Sequence, residues 1–124
     1  MNKLVLVADD LKAYLDLHAQ PLKDAGLEVI TASNLVALAS RYMENMEKLA
    51  AIIIDSRLAG RGLNTLPFIA QAKRGLEAGE FTGILVAASN NAEHRVQMVK
   101  LGCTHQAPKA DAAQVVLSHF GLTS

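Results

Sequence analysis

Tryptophan is absent from these 124 residues, cysteine occurs once, and aromatic residues make up only 4%. A lone Cys103 excludes an internal disulfide framework and suits a reducing compartment. So few rings leave the core mainly aliphatic and offer little to stack on a flavin. Charge of one sign is missing too: 12 Lys and Arg balance 12 Asp and Glu, which argues against a nucleic-acid binder working through a basic face. The first apolar run, Leu4 to Ala8 behind a single Lys3, is too short for a secretory h-region or a membrane span. These absences predict a cytoplasmic domain with no membrane or nucleic-acid partner. Hydrophobic residues at 51% predict a folded core, and the length predicts one domain over 1–124.

What is present is organised around Ala50-Ala51-Ile52-Ile53-Ile54-Asp55. A continuous, partly β-branched apolar run reads as a strand buried on both faces, which places it inside a parallel sheet covered by helices. Leu4 to Ala8 reads the same way and ends on Asp9-Asp10. Adjacent acids repel unless a cation or base lies nearby.

In order, the chain predicts β1 (Leu4–Ala8), α1 (Leu11–Ala25), β2 (Leu27–Ala32, an edge strand), α2 to about Met46, and β3 (Ala50–Ile54). Pro21 inside α1 predicts a kink near Leu17 or a reset start. Ser33 or Asn34 caps α2, with Leu35, Leu38, Ala39 and Met43 on its buried face. Ser56 to Leu63, with Gly60 and Gly62, predicts a mobile loop over the strand ends. Asn64 or Thr65 caps α3, which gives way to a connection over Gly75 to Gly83. Then come β4 (Ile84–Ala88), α4 capped by Ser89-Asn90-Asn91 and ending before Gly102, weak β5 (Thr104–Ala107), and α5 opening at Asp111. Regular β–α alternation means a parallel sheet. The fold class is α/β: flavodoxin-like, doubly wound, five-stranded, order 2-1-3-4-5.

In that order the switch point between β1 and β3 gathers Asp9, Asp10 and Asp55 in one crevice, with Lys109 on the same sheet edge. Three carboxylates and one ammonium leave a formal charge of about −2, which a divalent cation neutralises, and all-oxygen ligation suits Mg²⁺. An Asp beside bound Mg²⁺ can attack phosphorus and form an aspartyl-phosphate. The metal and Lys109 then stabilise charge on the phosphoryl oxygens.

With Asp9-Asp10 after β1, Asp55 after β3, Gly102 closing α4, and then Lys109, the chain resembles a response-regulator receiver domain over nearly all of residues 3–121. The resemblance implies that Asp55 is the phosphoacceptor and that Lys109 contacts the phosphate. It implies Mg²⁺ held by Asp10, by Asp9 mainly through water, by Asp55, and by the backbone carbonyl of Arg57. It implies a sensor histidine kinase or phosphotransfer protein as donor. Output passes to a downstream protein through α4-β5-α5, including Arg95, Gln106 and His119. The only intrinsic hydrolysis is autodephosphorylation, so the chain is not an enzyme in the ordinary sense.

The departures are as specific. The family's Thr/Ser at the end of β4 falls on Ala87, and Ser89 substitutes only if the loop is reshaped. The aromatic switch residue is Gln106, which implies altered partner choice. The Pro after the lysine is Ala110, so no cis bond is implied there, and the Met-Pro after the phosphoacceptor reads Leu58-Ala59. The acids and lysine of the chemistry are present, while the hydroxyl-to-aromatic readout is missing. The alternative is therefore a pseudo-receiver, a protein-binding scaffold that does not switch on phosphate.

Arg57 stands where an aspartyl-phosphate phosphatase needs a general acid. No Gly-rich phosphate loop follows β1, which removes a nucleotide-binding reading. His18, His94, His105 and His119 read as scattered, solvated side chains, and Cys103 as a small half-buried one. Met98, Leu101, Val115 and Phe120 read as core.

Overall fold

A computed structural model describes residues 2–122. Its strands are β1 (Leu4–Ala8), β2 (Glu28–Ala32), β3 (Leu49–Ile54), β4 (Ile84–Ala88) and β5 (His105–Ala107). Its helices are α1 (Lys12–Asp24), α2 (Leu35–Asn45), α3 (Leu66–Ala78), α4 (Ala92–Leu101) and α5 (Ala112–His119), with one 3₁₀ turn at Lys109–Asp111. All strand pairs are parallel, in the order β2-β1-β3-β4-β5. This is the arrangement the alternating pattern predicts.

The three apolar runs take the three central places because they alone can be buried on both faces. β3 and β4 are buried at every position, while edge strand β2 keeps Glu28 and Thr31 exposed. Side chains alternate across the sheet. Leu6, Ile52, Ile54, Leu85 and Ala87 pack under α2, α3 and α4. Val5, Val7, Ile53 and Val86 pack under α1 and α5. Asp9 and Asp55, one step past β1 and β3, emerge together at the carboxyl edge because Val7 and Ala8 register with Ile53 and Ile54.

Several local expectations change. Helix α1 does not restart at Pro21 but runs through it. Pro21 and Leu17 are exposed, so water can reach the Leu17 carbonyl that loses its partner. Leu35 and Met43 face solvent; Leu38 and Tyr42 make the buried face of α2, and Asn34 Oδ1 caps it at 2.8 Å. Neither Asn64 nor Thr65 caps α3 by side chain: Asn64 clamps Leu58 N–H and carbonyl (2.8 and 2.9 Å), closing the loop after β3. Asp111 likewise occupies the N-cap of α5 without a side-chain bond. Asn91 does cap α4, accepting from Glu93 and His94 N–H.

Gly75 is not in a connection but inside α3. The buried Tyr42, edge-on to Phe68 and Phe81, sets its hydroxyl against that glycine, where a Cβ would collide with Oη. Leu101 is exposed and so is not core. Cys103 is buried rather than half-buried, and burial pushes its thiol up to about 12, which leaves no thiolate near neutrality. The histidines are not all solvated. His18 is buried, and burial followed by the Lys109 charge pulls it down to about 4, with Asp55 opposing. His105 and His119 meet edge to face at 5.3 Å.

Candidate functional site

Each acid is placed by the end of a strand. The Asp9 N–H donates to Ala32 O (3.1 Å) and the Asp55 N–H to Ala8 O (3.1 Å), so the ladder continues one residue and both side chains leave the sheet at its carboxyl edge. Asp9 Oδ1 accepts the Leu11 N–H at 3.0 Å, an Asx turn that steers the chain into α1. Lys109 follows β5 through Pro108, and its N–H is held by Asn90 Oδ1 at 3.0 Å. Its ammonium lies 2.9 Å from both Asp9 Oδ2 and Asp55 Oδ2, and 4.0 Å from the centre of the Tyr14 ring. The predicted association of Asp9, Asp55 and Lys109 is therefore present.

Asp10 joins them from the exposed rim and accepts the Ala59 N–H at 3.3 Å. Ala59 stands where the family places proline, which has no N–H to give. Its φ of 39° is also closed to proline. Thr65 Oγ1 shares its one proton between the carbonyls of Asp55 and Ser56 at 2.8 and 2.9 Å, pinning the backbone beneath the carboxylate.

The electrostatics follow from crowding. Burial raises the Asp9 carboxyl above its ordinary value, and the Asp55 charge adds to the rise, against the Leu11 N–H and Lys109. Burial alone would lower Lys109, but hydrogen bonds and charge from Asp55 and Asp9 outweigh it and the net shift is upward. One ammonium thus serves Asp9 and Asp55 with Asp10 nearby, and these four groups keep an excess of negative charge.

Oxygens of Asp9, Asp10 and Asp55 lie within 4.8 Å of one another. Hard oxygen donors at that separation fit a divalent cation such as Mg²⁺ or Ca²⁺ after a small closure. Beside them opens a cleft of about 420 Å³ lined by Asp55, Arg57, Ser89, Asn91, His94 and Lys109, among others. Arg57, expected to offer its carbonyl, is on that wall.

Ala87 is fully buried and pairs with Gln106 across the sheet. Gln106 Oε1 accepts from Arg95 Nε at 3.2 Å on the surface. Ser89 Oγ accepts the Asn91 N–H at 3.1 Å, and among the described residues it makes no hydrogen bond to Asp55. Among the described residues no peptide bond is cis. Ser56, expected only as the start of a loop, and His94, expected to be solvated, are bonded at 3.2 Å beside Asp55.

No protein-family model matches the chain, and no curated protein matches it by sequence. Solved structures do match. The chemotaxis response regulator CheY4 of Vibrio cholerae superposes with a TM-score of 0.75 at 20% identity, over 98% of this chain and 98% of that one. The chain has the fold of response-regulator receiver domains. A Burkholderia pseudomallei response regulator with a phosphorylated aspartic acid, calcium ion and citrate matches with a TM-score of 0.74 at 22% identity, over 94% of this chain and 65% of that one. NtrX from Brucella abortus matches equally well (TM-score 0.74, 22% identity), but this chain spans only 26% of it. The receiver fold thus occurs among these neighbours both nearly alone and as part of longer chains. Among the described residues of this receiver fold, no helix is long and apolar enough to cross a membrane.

Proposed function

We propose that the chain is a phosphoacceptor receiver of two-component signalling, phosphorylated on Asp55. The observation that carries this reading is Lys109 bridging Asp55 and Asp9 at 2.9 Å to each, beside a cleft lined by Asp55 and Lys109 and with an oxygen of Asp10 within 4.8 Å of the other two acids. A nucleophilic carboxylate needs an open approach on one side and positive charge on the other, and Asp55 has both. One Asp55 oxygen attacks the phosphorus of a phosphohistidine or acyl phosphate. The new O–P bond forms as the donor's P–N or P–O bond breaks, and the leaving group departs with that bonding pair. Lys109 then turns from carboxylate to phosphoryl oxygen. Asp9, Asp10, Asp55 and the Arg57 carbonyl would hold Mg²⁺, which when bound offsets charge on the phosphoryl oxygens. The Burkholderia neighbour, with its phosphorylated aspartic acid and calcium, supports this assignment by analogy.

The donor is a histidine kinase or phosphotransfer protein, and hydrolysis is limited to slow autodephosphorylation. Output runs through α4-β5-α5, the face that presents Arg95, Gln106 and His119, in the cytoplasm and without nucleic acid or membrane.

A second reading, a phosphorylation-independent scaffold, is favoured by Ala87 and by Gln106 held on the surface through Arg95. Intact mass after incubation with acetyl phosphate and Mg²⁺ separates the two. The expected result is a single phosphate on the wild type and none on Asp55→Asn. No adduct on the wild type at any Mg²⁺ concentration would favour the scaffold.

A further inference from the structure

A short chain of side chains joins Asp55 to helix α4. The Ser56 N–H donates to Asp55 Oδ1 at 2.7 Å, and Ser56 Oγ lies 3.4 Å from the same oxygen. On its other side Oγ meets His94 Nδ1 at 3.2 Å. Ser56 is buried, and His94 is half-buried in the first turn of α4. One hydroxyl proton therefore faces two acceptors, a carboxylate and an imidazole nitrogen.

We propose that His94, acting through Ser56, is a positioning residue that makes the hold of α4 on the cleft depend on the state of the Asp55 carboxylate. The inference rests on Asp55 being the phosphoacceptor. With Asp55 free, its carboxylate is the stronger acceptor, so Ser56 donates to it and Oγ accepts from His94 Nδ1–H. Phosphorylation removes the delocalised carboxylate charge whichever oxygen reacts. Oδ1 becomes either a neutral acyl oxygen or an ester oxygen, a poorer acceptor in both cases. The hydroxyl can then turn to His94 or to a phosphoryl oxygen, and its bond to α4 reverses or breaks. Ala87 has no hydroxyl, Ser89 is bonded within its loop, and Gln106 is bonded to Arg95. Among the described residues, Ser56–His94 is thus the hydrogen-bonded side-chain link from Asp55 to α4.

Hydrogen exchange of the α4 amides tests this on the full chain, with and without acetyl phosphate and Mg²⁺, while intact mass reports phosphate occupancy. In the wild type, phosphorylation is expected to change α4 exchange roughly two- to tenfold, the range of one net hydrogen bond. His94→Ala should take phosphate yet lose that change. His94→Asn, whose amide can reach the place of Nδ1, should restore part of it. A phosphorylated wild type with unaltered α4, or a phosphorylated His94→Ala that responds like the wild type, would overturn the coupling and leave the phosphoacceptor standing. A wild type that takes no phosphate would overturn both.

Discussion

Lys109→Met is expected to lower stability by about 3–5 kcal/mol at pH 7 without divalent cations, the usual cost of removing one partner from a buried ion pair. Methionine keeps most of the lysine stem, so the loss is of charge rather than volume. Asp9 is almost fully buried, and the Asp55 side chain is only 12% exposed. Without the ammonium at 2.9 Å from each, the two carboxylates face each other with Asp10 alongside.

The pH dependence has a definite sign. Burial and the Asp55 charge already raise Asp9 in the folded wild type, and losing Lys109 raises it further. A carboxyl raised on folding binds protons the unfolded chain has released, so stability falls as pH rises. The deficit of Lys109→Met should therefore shrink as pH falls from 7 toward the ordinary Asp value of about 3.9. Lys109 acts in the same sense in the wild type, but in a higher pH window. Its raised pKa contributes stability below the ordinary lysine value of about 10.4, which is lost only as pH rises through the higher folded value. Mg²⁺ supplies the missing charge by another route, and a hundredfold excess over its Kd adds about 2.7 kcal/mol. Urea melts at pH 7 and pH 5, with and without Mg²⁺, measure the carboxyl and Mg²⁺ effects. A variant that matches the wild type at both pH values would show that the acids do not depend on the lysine.

The meeting of Asp9, Asp55 and Lys109 was legible in the sequence because parallel strands bring their carboxyl ends to one edge. A wholly apolar run followed by an acid states both facts at once. The central strands were legible for the same reason: burial on both faces leaves a run with no polar interruption. Where the structure departs from these expectations, the deciding contact is mostly distant. Gly75 looked like the first residue of a connection, but Tyr42 from another helix requires its bare backbone within α3. His18 looked solvated because histidine is polar, although Leu15 three before it and Leu22 four after it put it on the buried face of α1. Asn64 and Thr65 looked like caps, yet the loop after β3 and the Asp55 carbonyl claim them first. Ser56 and His94 gave no signal, since their bond spans two βα units and neither residue belongs to a motif.

Gly83→Ala is expected to cost about 3 kcal/mol, the upper end for forcing volume into a packed interior. Gly83 leads into β4, where a Cβ would run into the Ala50 carbonyl group and Leu49 O on neighbouring β3. Those are backbone atoms of a strand buried along its whole length, and no side chain can turn aside to make room. The strands must part locally, and their register runs from Ala51↔Ile84 to Ile54↔Ala87, one residue short of Asp55. The same change should therefore slow phosphate uptake as well as lower stability. Gly79 is the control. It ends α3 at φ 75°, and nothing lies within 4 Å of a Cβ there. Gly79→Ala should cost only the left-handed backbone strain, about 1–2 kcal/mol, and leave phosphate uptake as in the wild type. Urea denaturation with acetyl-phosphate labelling of both variants compares the two effects directly. Equal losses would mean that β3 yields at Ala50, and that the strand pair does not hold Asp55 in place as rigidly as its burial implies.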